Sequence, residues 1–563
     1  MTDTLSIGPR RRFWGWGNAA DELSATEQQS IKGTLTALGA NAAGVASPRE
    51  SDVRLRPSRG AAPAALQSII SGSHYDRLTH SYGKSFADLL RMWQRNVPNP
   101  PDWVAFPKDE QGVVDVLDWA STANVAVIPF GGGTSVCGGV EPVVGDSYAA
   151  TVSLDLQHLN QVLEVDPLSR CARIQAGAFG PDLEAQLKPH GLTMRHYPQS
   201  FQFSTLGGWI ATRAGGHYAT LATHIDDMVQ STRTVTPAGI LQTRRLPASG
   251  AGPAPDRLII GSEGTCGVIT EAWMRLQTRP TFRASASVIF ADMRSAVQCV
   301  RMLAQSGLHP SNCRLLDADE VANFHIGDGK SPTLVLGFES ADHAVRAAMQ
   351  RALEIVAECG GRYDAAAVEV SMASDSGQGA AVGARSGAAG AWRDTFIRMP
   401  YLRDPMLGHG AILDTFETAI TWDKFDAFYA GVKEGMQRAI KRATGNFGMV
   451  SCRFTHVYPD GVAPYFTFVA LGSAKADLDQ SLAAWCELKR AANDLVVGLG
   501  GTSTHHHAVG RDHRSGYEVE SAPLFLSALA AAKSALDPQG VMNPGVLIDP
   551  VGRKVGMSGV LAE

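Results

Sequence analysis

Three segments of the chain combine residue types and spacings that could do chemistry. They are the glycine-rich turn 129–136, the segment 260–271, and the segment 501–507, which ends in three consecutive histidines. Glycines let backbone N–H groups approach a phosphate closely, and imidazoles titrate near neutral pH, as a general acid or base must. Together the three segments predict a bound dinucleotide beside a titratable cluster.

The glycine-rich turn has the features of an anion-binding nest. Glycines 131–133 follow the apolar run 125–128, which predicts a strand leading into a turn, and Thr134 and Ser135 add hydroxyl donors. A triple glycine alone is also typical of a surface turn, so a dinucleotide site is predicted only because the other two segments accompany it. No G-x-G-x-x-G is completed after the turn, and 324–331 lacks the first glycine of a Walker loop, which disfavours Rossmann and P-loop folds.

The histidine run limits its own geometry. If 504–507 is extended, His505 and His507 share one face and His506 points to the other, because side chains alternate along a strand. At most two of the three could then face one pocket. A metal site would need a third ligand, which the run does not supply, so the sequence predicts no metal.

These motifs resemble those of FAD flavoproteins of the vanillyl-alcohol-oxidase type, and among them the alkyldihydroxyacetonephosphate synthase family. The resemblance runs from about residue 75 to 548 and includes 196–209, 212–214 and 537–543. It implies an α+β fold: a two-part FAD-binding domain (PCMH type), an antiparallel-sheet cap domain and a helical N-terminal extension. It also implies noncovalent FAD, although His196 and the cysteines stay open as attachment points.

The resemblance assigns FAD binding to four groups of residues. They are Pro129, Phe130, Gly131, Gly132, Gly133, Thr134, Ser135 and Val136; Pro198, Ser200, Ser204, Thr205, Gly207 and Gly208; Thr212, Arg213 and Ala214; and Glu263, Gly264, Thr265, Gly267, Val268 and Ile269.

The resemblance also assigns the catalytic residues. Tyr465 is the expected acid/base for the substrate carbon, and a phenol can take a proton only where cations stabilise the phenolate. His505, His506 and His507 are expected in or just behind the site, with His506 and His507 closest to the substrate.

Three arginines match family positions around the site: Arg314, Arg403 and Arg453. A guanidinium presents a planar fork suited to phosphate, so the trio is predicted to clamp a phosphorylated head group. For any single arginine the alternative is a structural ion pair, for instance Arg403 with Asp404 or Glu417.

The resemblance implies a transferase: the acyl chain of acyl-dihydroxyacetone phosphate is exchanged for a fatty alcohol in ether-lipid synthesis, without net redox. Two departures from the family's sequence pattern lie close to the substrate. Ala508 stands where the family usually has glycine, and Thr467 replaces an aromatic residue. The cap also lacks an insertion seen in animal synthases. These departures leave two alternatives open: an FAD-dependent 2-hydroxy-acid oxidase or dehydrogenase, and a flavin-bearing binding protein without activity.

Length and composition suit this interpretation. The 563 residues are too many for one core, and the net charge of −5 gives no footprint for nucleic acid. Eight scattered cysteines without a C-x-x-C pair, and no secretory leader, predict reduced thiols in a cytoplasmic protein. No window is long enough to span a membrane, so membrane contact would be peripheral; a homodimer also stays open.

The pattern along the chain predicts four parts: an N-terminal helical extension (1–97), the FAD-binding domain (98–280), a cap or substrate domain (281–498), and a C-terminal segment that returns to the FAD site (499–563). A Gly/Ala/Ser-rich stretch in the cap, 371–391, is predicted to be a mobile loop, either a lid or an inert surface segment. Trp14 and Trp16 are predicted to anchor the N-terminus or to touch a membrane surface.

Overall fold

The computed structural model describes residues 5–40, 43–324, 326, 328–373, 388–553 and 555, apart from the side chains of 373 and 388–397. Most of the stretch 371–391, predicted as a mobile loop, lies outside the described residues. So does the extreme C-terminus.

The first sheet carries the glycine-rich turn at the end of a strand. Its four strands lie in the order β1, β2, β4, β3, where β1 is Ile70–Ser71, β2 is Trp103–Ala105, β3 is Val125–Phe130 and β4 is Ala150–Asp155. The pairs β2/β4 and β3/β4 are parallel and β1/β2 is antiparallel. The apolar run 125–128 is therefore a strand, as predicted, and it delivers the chain into the turn.

A helix covers this sheet because its apolar residues recur at helical spacing. Helix α4 (Glu110–Ala123) buries Val113, Val116, Leu117 and Ala120. The Asp109 carboxylate accepts the N–H of Gly112 at its start, and at its end Asn124 has φ +54°, the left-handed conformation that stops helices.

The second sheet is antiparallel and completes the FAD-binding domain. Its order is β5, β6, β10, β8, β9, with a separate pair formed by β7 and β11. The strands are β5 (Val162–Asp166), β6 (Cys171–Gln175), β7 (Leu192–Thr193), β8 (Val229–Thr236), β9 (Gly239–Gln242), β10 (Val268–Arg275) and β11 (Gln277–Thr278).

The cap is an eight-stranded antiparallel sheet. Seven strands lie in the order β15, β12, β14, β13, β18, β19, β16, and β17 pairs with β19 beyond them. The strands are β12 (Phe282–Ile289), β13 (Asn312–Leu316), β14 (Thr333–Ser340), β15 (Arg362–Tyr363), β16 (Ala411–Glu417), β17 (Ile420–Thr421), β18 (Met449–Val457) and β19 (Gly461–Leu471). The predicted fold class, α+β with an antiparallel-sheet cap, is confirmed.

Fourteen further α-helices are found in the described residues. They are α1 (Ala25–Ala37), α2 (His74–Thr79), α3 (Phe86–Trp93), α5 (Gly180–Leu187), α6 (Leu206–Thr212), α7 (Met293–Gln305), α8 (Ala318–Asn323), α9 (Arg346–Glu358), α10 (Ala365–Ala373), α11 (Ala388–Leu407), α12 (Phe425–Thr444), α13 (Leu478–Gly498), α14 (Arg514–Glu520) and α15 (Pro523–Leu536).

The N-terminal segment packs on both domains. Strand β1 pairs with β2, so the chain joins the first sheet before the predicted boundary at residue 98. Trp16 is buried and its backbone N–H donates to the carboxylate of Asp404 at 2.6 Å, while the ring of Trp14 packs edge-on against Trp93. Of the two roles considered for the tryptophans, the packing anchor is the one that the structure shows.

The C-terminal segment returns to the first sheet. Val127 donates its N–H to the carbonyl of Val541 at 2.8 Å and accepts that of Asn543 at 2.9 Å. The tail therefore forms a parallel bridge, Val127 to Met542, along the free edge of β3.

By length and apolar composition, none of the described helices could cross a membrane by itself. Helices α14 and α15 meet the same test only as a pair, and that pair is bent by 119°.

Candidate active site

One large cavity, of about 270 Å³, lies between the FAD-binding domain, the cap and the C-terminal segment. Its floor is the glycine-rich turn with parts of 198–216 and 263–269. Its roof consists of residues from α11 and from strands β13, β16, β18 and β19, with His506 and His507 at one side. The elements that the sequence predicted to meet at a site do meet here.

The glycine-rich turn fits a phosphate group. A Cβ on Gly132 would collide with the carbonyl oxygen of Phe203, and a Cβ on Gly133, where φ is +65°, would collide with the ring of Phe130. In the described part of the chain, no acceptor is bonded to the N–H groups of 131–136. Free N–H donors lining a cavity are what an anion nest offers to a pyrophosphate.

Glu263 joins this floor to the C-terminal segment. Its carboxylate accepts the N–H groups of Val509 at 2.9 Å and Gly510 at 2.8 Å, and its carbonyl accepts the side-chain amide of Asn543 at 2.7 Å. Burial raises the pKa of Glu263 to about 7, against the opposing effect of the two N–H donors. Glu263 thus holds in place the loop that follows the histidines.

All but two of the residues predicted to bind FAD line the cavity; Arg213 and Thr265 do not. Arg213 ends α6 with φ +51°, which turns its half-exposed side chain to the surface, where it pairs with Asp226 at 3.1 Å. Thr265 is fully buried and its hydroxyl donates to the carbonyl of Ser262 at 2.7 Å. A motif match shows only which position a residue occupies along the chain. The backbone conformation determines the direction of its side chain.

The cap sheet places three functional side chains in register. Tyr465 on β19 lies directly opposite Arg453 on β18 and Glu417 on β16. Residues directly opposite each other in a sheet point to the same face. The guanidinium of Arg453 lies 3.8 Å from the centre of the Tyr465 ring, and the Tyr465 hydroxyl donates to Thr415 Oγ1 at 2.9 Å.

Tyr465 is a neutral phenol in this environment. Burial raises its pKa, and the nearby Arg453 charge lowers it only in part. The expectation that the arginines would stabilise a phenolate is therefore not met, because desolvation outweighs the cation. Tyr465 therefore holds its proton in this environment and can act as a hydrogen-bond donor, so a proton acceptor has to be sought among its neighbours.

The three predicted arginines all line the cavity, but they differ in their partners. Arg453 forms a fully buried ion pair with Glu320 at 2.6 Å. Arg403 on α11 lies 3.7 Å from Asp404 and donates to the carbonyl of Lys84 at 3.0 Å. The suggested pair of Arg403 with Glu417 is wrong, because Glu417 is used elsewhere.

Arg314 on β13 is buried at the cavity wall. Its guanidinium contacts the ring and carbonyl of His217 at 3.5 Å. Burial, with Arg453 nearby, lowers its pKa to about 9. An anion at this wall would therefore compensate for buried positive charge.

Glu417 organises the histidine run. Its carboxylate accepts the N–H groups of His505 at 2.7 Å, His506 at 3.1 Å and His507 at 2.9 Å, and the hydroxyl of Thr504 at 2.6 Å. The segment is therefore wrapped around a carboxylate rather than extended, which corrects the alternation expected for a strand. His506 and His507 line the cavity and His505 lies behind them.

The electrostatics of this cluster favour one charge distribution. Although burial alone would raise the pKa of Glu417, the imidazoles of His506, His507 and His505 hold it well below its ordinary value. Burial lowers the pKa values of His505 and His507 well below theirs, with Glu417 opposing. Glu417 is therefore a carboxylate, and the neutral rings of His505 and His507 beside it can accept a proton.

Four residues of the site were not predicted: His456, His224, Tyr458 and Glu320. His456 lies three positions after Arg453 on β18, so strict alternation would put it on the other face, but a bulge between Phe454 and His456 brings both to the cavity. In the sequence, the only indication of its role was that a histidine follows Arg453 within a strand-like segment.

The ring nitrogens of His456, His505 and His506 lie within 4.8 Å of one another, the one group of three potential metal-ligating residues in the described part of the chain. His456 donates from Nε2 to the carbonyl of Gly216 at 3.0 Å. The structure therefore supplies the third histidine that the run lacks. The absence of a metal stays a prediction.

Comparison with known proteins agrees with this geometry. Residues 101–244 match the family model for an FAD binding domain, and residues 279–547 match that for the C-terminal domain of FAD linked oxidases. A solved structure of p-cresol methylhydroxylase shares the fold, with a TM-score of 0.64 over 94% of this chain and 98% of that one, at 14% identity. The class is thus that of FAD-binding flavoproteins with a PCMH-type fold.

Closer relatives define the family. Alkyldihydroxyacetonephosphate synthase of Dictyostelium discoideum is 32% identical over 482 residues, which cover 84% of this chain and 78% of that protein. A solved structure with the same enzyme name has a TM-score of 0.77 and 26% identity, and covers 95% of this chain and 98% of that one. The glycolate oxidase subunit GlcD of Bacillus subtilis is 25% identical, over 86% of this chain and 94% of that protein. The chain belongs to the alkyldihydroxyacetonephosphate synthase family.

Proposed function

We propose that this protein is an FAD-dependent transferase that replaces the acyl chain of acyl-dihydroxyacetone phosphate by a fatty alcohol. The observation that carries the proposal is the register of Arg453, Tyr465 and Glu417 across the cap sheet, which faces the glycine-rich turn across one cavity. Family membership supports the same reaction. The bond between the substrate carbon and the acyl carboxylate breaks, and a bond to the alcohol oxygen forms.

The residues present fit FAD. The free N–H groups of 131–136 would hold its pyrophosphate, and the isoalloxazine would lie under the cap residues. When bound, the flavin supplies the electrophilic and nucleophilic chemistry that side chains lack. This chain then binds the phosphate, orients the substrate and moves protons.

In this scheme the arginines hold the head group and Tyr465 acts at the substrate carbon. Arg314 and Arg403 offer guanidinium forks at the cavity wall, while Arg453 is engaged by Glu320 and acts mainly on the Tyr465 ring. His506, whose ring stacks on Tyr465 at 5.9 Å, is placed to receive a proton from the cavity. The half-buried side chain of His507 borders the same space.

The test is incorporation of labelled fatty alcohol into an ether product by wild type and by Tyr465→Phe. The variant should keep its flavin absorbance and lose roughly a hundredfold or more in rate, the scale expected when a positioned acid/base is removed. Tyr82→Phe is the matched control, because its buried hydroxyl also donates one hydrogen bond, to the carbonyl of Asn96 at 2.9 Å, outside the cavity.

The alternative, oxidation of a 2-hydroxy acid, has a distinct signature. It would bleach the flavin when a hydroxy acid is added anaerobically, and the arginines would then grip a carboxylate. No ether product from wild type, together with rapid bleaching, would replace the transferase by this oxidoreductase.

The lipid substrates also suggest peripheral membrane contact, and a homodimer is compatible with the family. Co-sedimentation with vesicles and light scattering of the purified protein test these two points separately.

A further inference from the structure

A chain of imidazoles leads from the cavity wall toward the surface. Nδ1 of His506, which lines the cavity, lies 3.0 Å from Nδ1 of His505. Nε2 of His505 lies 3.2 Å from Nε2 of His224, and Nδ1 of His224 lies 3.7 Å from Oδ1 of Asp226. We propose that these four residues, here called the histidine relay, carry protons between the cavity and the solvent.

The reaction proposed above, on which this inference rests, needs such a route. An ester and a neutral alcohol become an ether and a carboxylate anion, so each turnover releases one proton. The proton comes from the alcohol hydroxyl, and it appears beneath a roof formed by buried side chains, among them Tyr465, Arg453 and His456. Unless it leaves, it will protonate a cavity base and stop the next turnover.

The outer end of the relay reaches the surface. His224 does not line the cavity, and its side chain is 12% exposed. The carboxylate of Asp226 is covered by the guanidinium groups of Arg213 and Arg257, which are 54% and 53% exposed. A proton that reaches His224 can therefore pass to solvent beside the exposed guanidinium groups that cover Asp226.

Imidazole is suited to each step. A neutral ring accepts a proton at one nitrogen and releases one from the other, so a row of rings in contact can pass a proton on without moving as a whole. Burial lowers the pKa of His505, and it lowers that of His224 to about 4 although Asp226 opposes it, so both rings start neutral.

Neighbouring groups hold the relay in line. Tyr458 bonds Nε2 of His505 at 2.9 Å, and Glu417 bonds the backbone N–H groups of His505 and His506. The ring of His456 packs 5.1 Å from that of His505. These contacts fix the ring positions that the short nitrogen–nitrogen distances require.

The test compares His224→Asn with wild type in the labelled-alcohol assay. Asparagine keeps a polar side chain but cannot relay a proton, so kcat should fall by roughly a hundredfold while KM for both substrates stays close to the wild-type value. Added imidazole should restore the rate in proportion to its concentration, and wild type should not respond to it. His158→Asn is the control, because this half-buried histidine bonds the carbonyl of Leu5 at 2.9 Å and lies outside the cavity.

Several outcomes would overturn the relay. A wild-type kcat in His224→Asn would exclude the relay. A reduced kcat that added imidazole does not restore, together with a lowered Tm, would also exclude it. Wild type dialysed against EDTA should keep its rate. A loss of rate that Zn²⁺ restores would show that the imidazoles bind a metal ion and do not form a relay. If wild type itself forms no ether product, both the proposed function and the relay are wrong. This result differs from those above, in which wild type is active and only the variant or the treatment changes the rate.

Discussion

At the scale of single residues, the site depends on side chains that the surrounding backbone turns toward or away from the cavity. Arg213 and Thr265 belong to segments whose neighbours line the cavity, yet one points to the surface and the other into the core. Arg453 shows the converse, because it lines the cavity while its Nη1 also forms a buried ion pair with Glu320. Residue roles therefore follow from contacts more than from motif positions.

The clamp assigned to Arg403 can be tested by a small change. In Arg403→Lys the ammonium cannot reproduce the bidentate fork, so KM for the phosphorylated substrate should rise by roughly tenfold or more. Arg398→Lys is the control on the same helix, because Arg398 pairs with Glu27 outside the cavity. A lower Tm in Arg403→Lys with unchanged KM would make Arg403 a structural residue.

Ala508 carries backbone strain that glycine would relieve. Its φ is +73°, in the left-handed region that costs a residue with a Cβ about 1 kcal/mol. Ala508→Gly should therefore raise the free energy of unfolding by about 1 kcal/mol. Ala531→Gly, at an exposed position inside α15, should lower it by a similar amount. Destabilisation by both changes, measured in urea, would contradict the strain.

At the scale of elements, the hydrophobic pattern predicted the strand that leads into the glycine-rich turn. The apolar run 125–128 became β3, and the helix α4 that covers it has its buried apolar residues at helical spacing. Periodicity reports which face is buried, and burial was what positioned these elements.

Two features of the site could not be predicted from the sequence, because they depend on contacts between residues that are far apart along the chain. The histidine run was expected to alternate as a strand, but Glu417, almost ninety residues earlier, gathers its N–H groups into a turn. His456 reaches the cavity only through a bulge in β18. Neither a bulge nor a partner far along the chain leaves a local pattern.

The Glu417 contact with the histidine loop makes a prediction about stability. Glu417→Gln replaces one acceptor oxygen by an amide and leaves N–H groups of the loop unsatisfied, so the free energy of unfolding should fall by about 2 kcal/mol. Glu518→Gln is the control, because Glu518 is a half-exposed partner of Arg514. Equal Tm values for Glu417→Gln and wild type would show that the contact contributes nothing.

The same cluster predicts how stability depends on pH. His505 and His507 have folded pKa values below the ordinary 6.5, so the unfolded chain binds more protons below that pH. Their contribution is complete above pH 6.5 and is lost as the pH falls. Glu417 keeps its contribution down to its ordinary 4.5 and loses it below. Tm should therefore fall from pH 7 to 5; a constant Tm over that range would contradict the buried neutral imidazoles.

At the scale of the whole molecule, the cavity exists only where three parts of the chain meet. The FAD-binding domain supplies the glycine-rich turn, the cap supplies Tyr465 and the arginines, and the C-terminal segment supplies the histidines. FAD bound there would contact all three, so it should stabilise their arrangement as well as take part in the reaction. Ligand at a hundred times its Kd adds about 2.7 kcal/mol to the free energy of unfolding.

Noncovalent binding of that FAD is the last prediction. Cys137 is the one cysteine among the described residues lining the cavity, and burial raises the pKa of its thiol well above the ordinary value, which keeps it from acting as a thiolate. His196 lies outside the cavity with its ring against Trp209 at 5.0 Å. Denaturation should therefore release all flavin into the supernatant as FAD, and adding FAD to the apoprotein should raise its Tm. Flavin that stays with the precipitated chain would show a covalent bond, and mass spectrometry of its peptides would locate the residue.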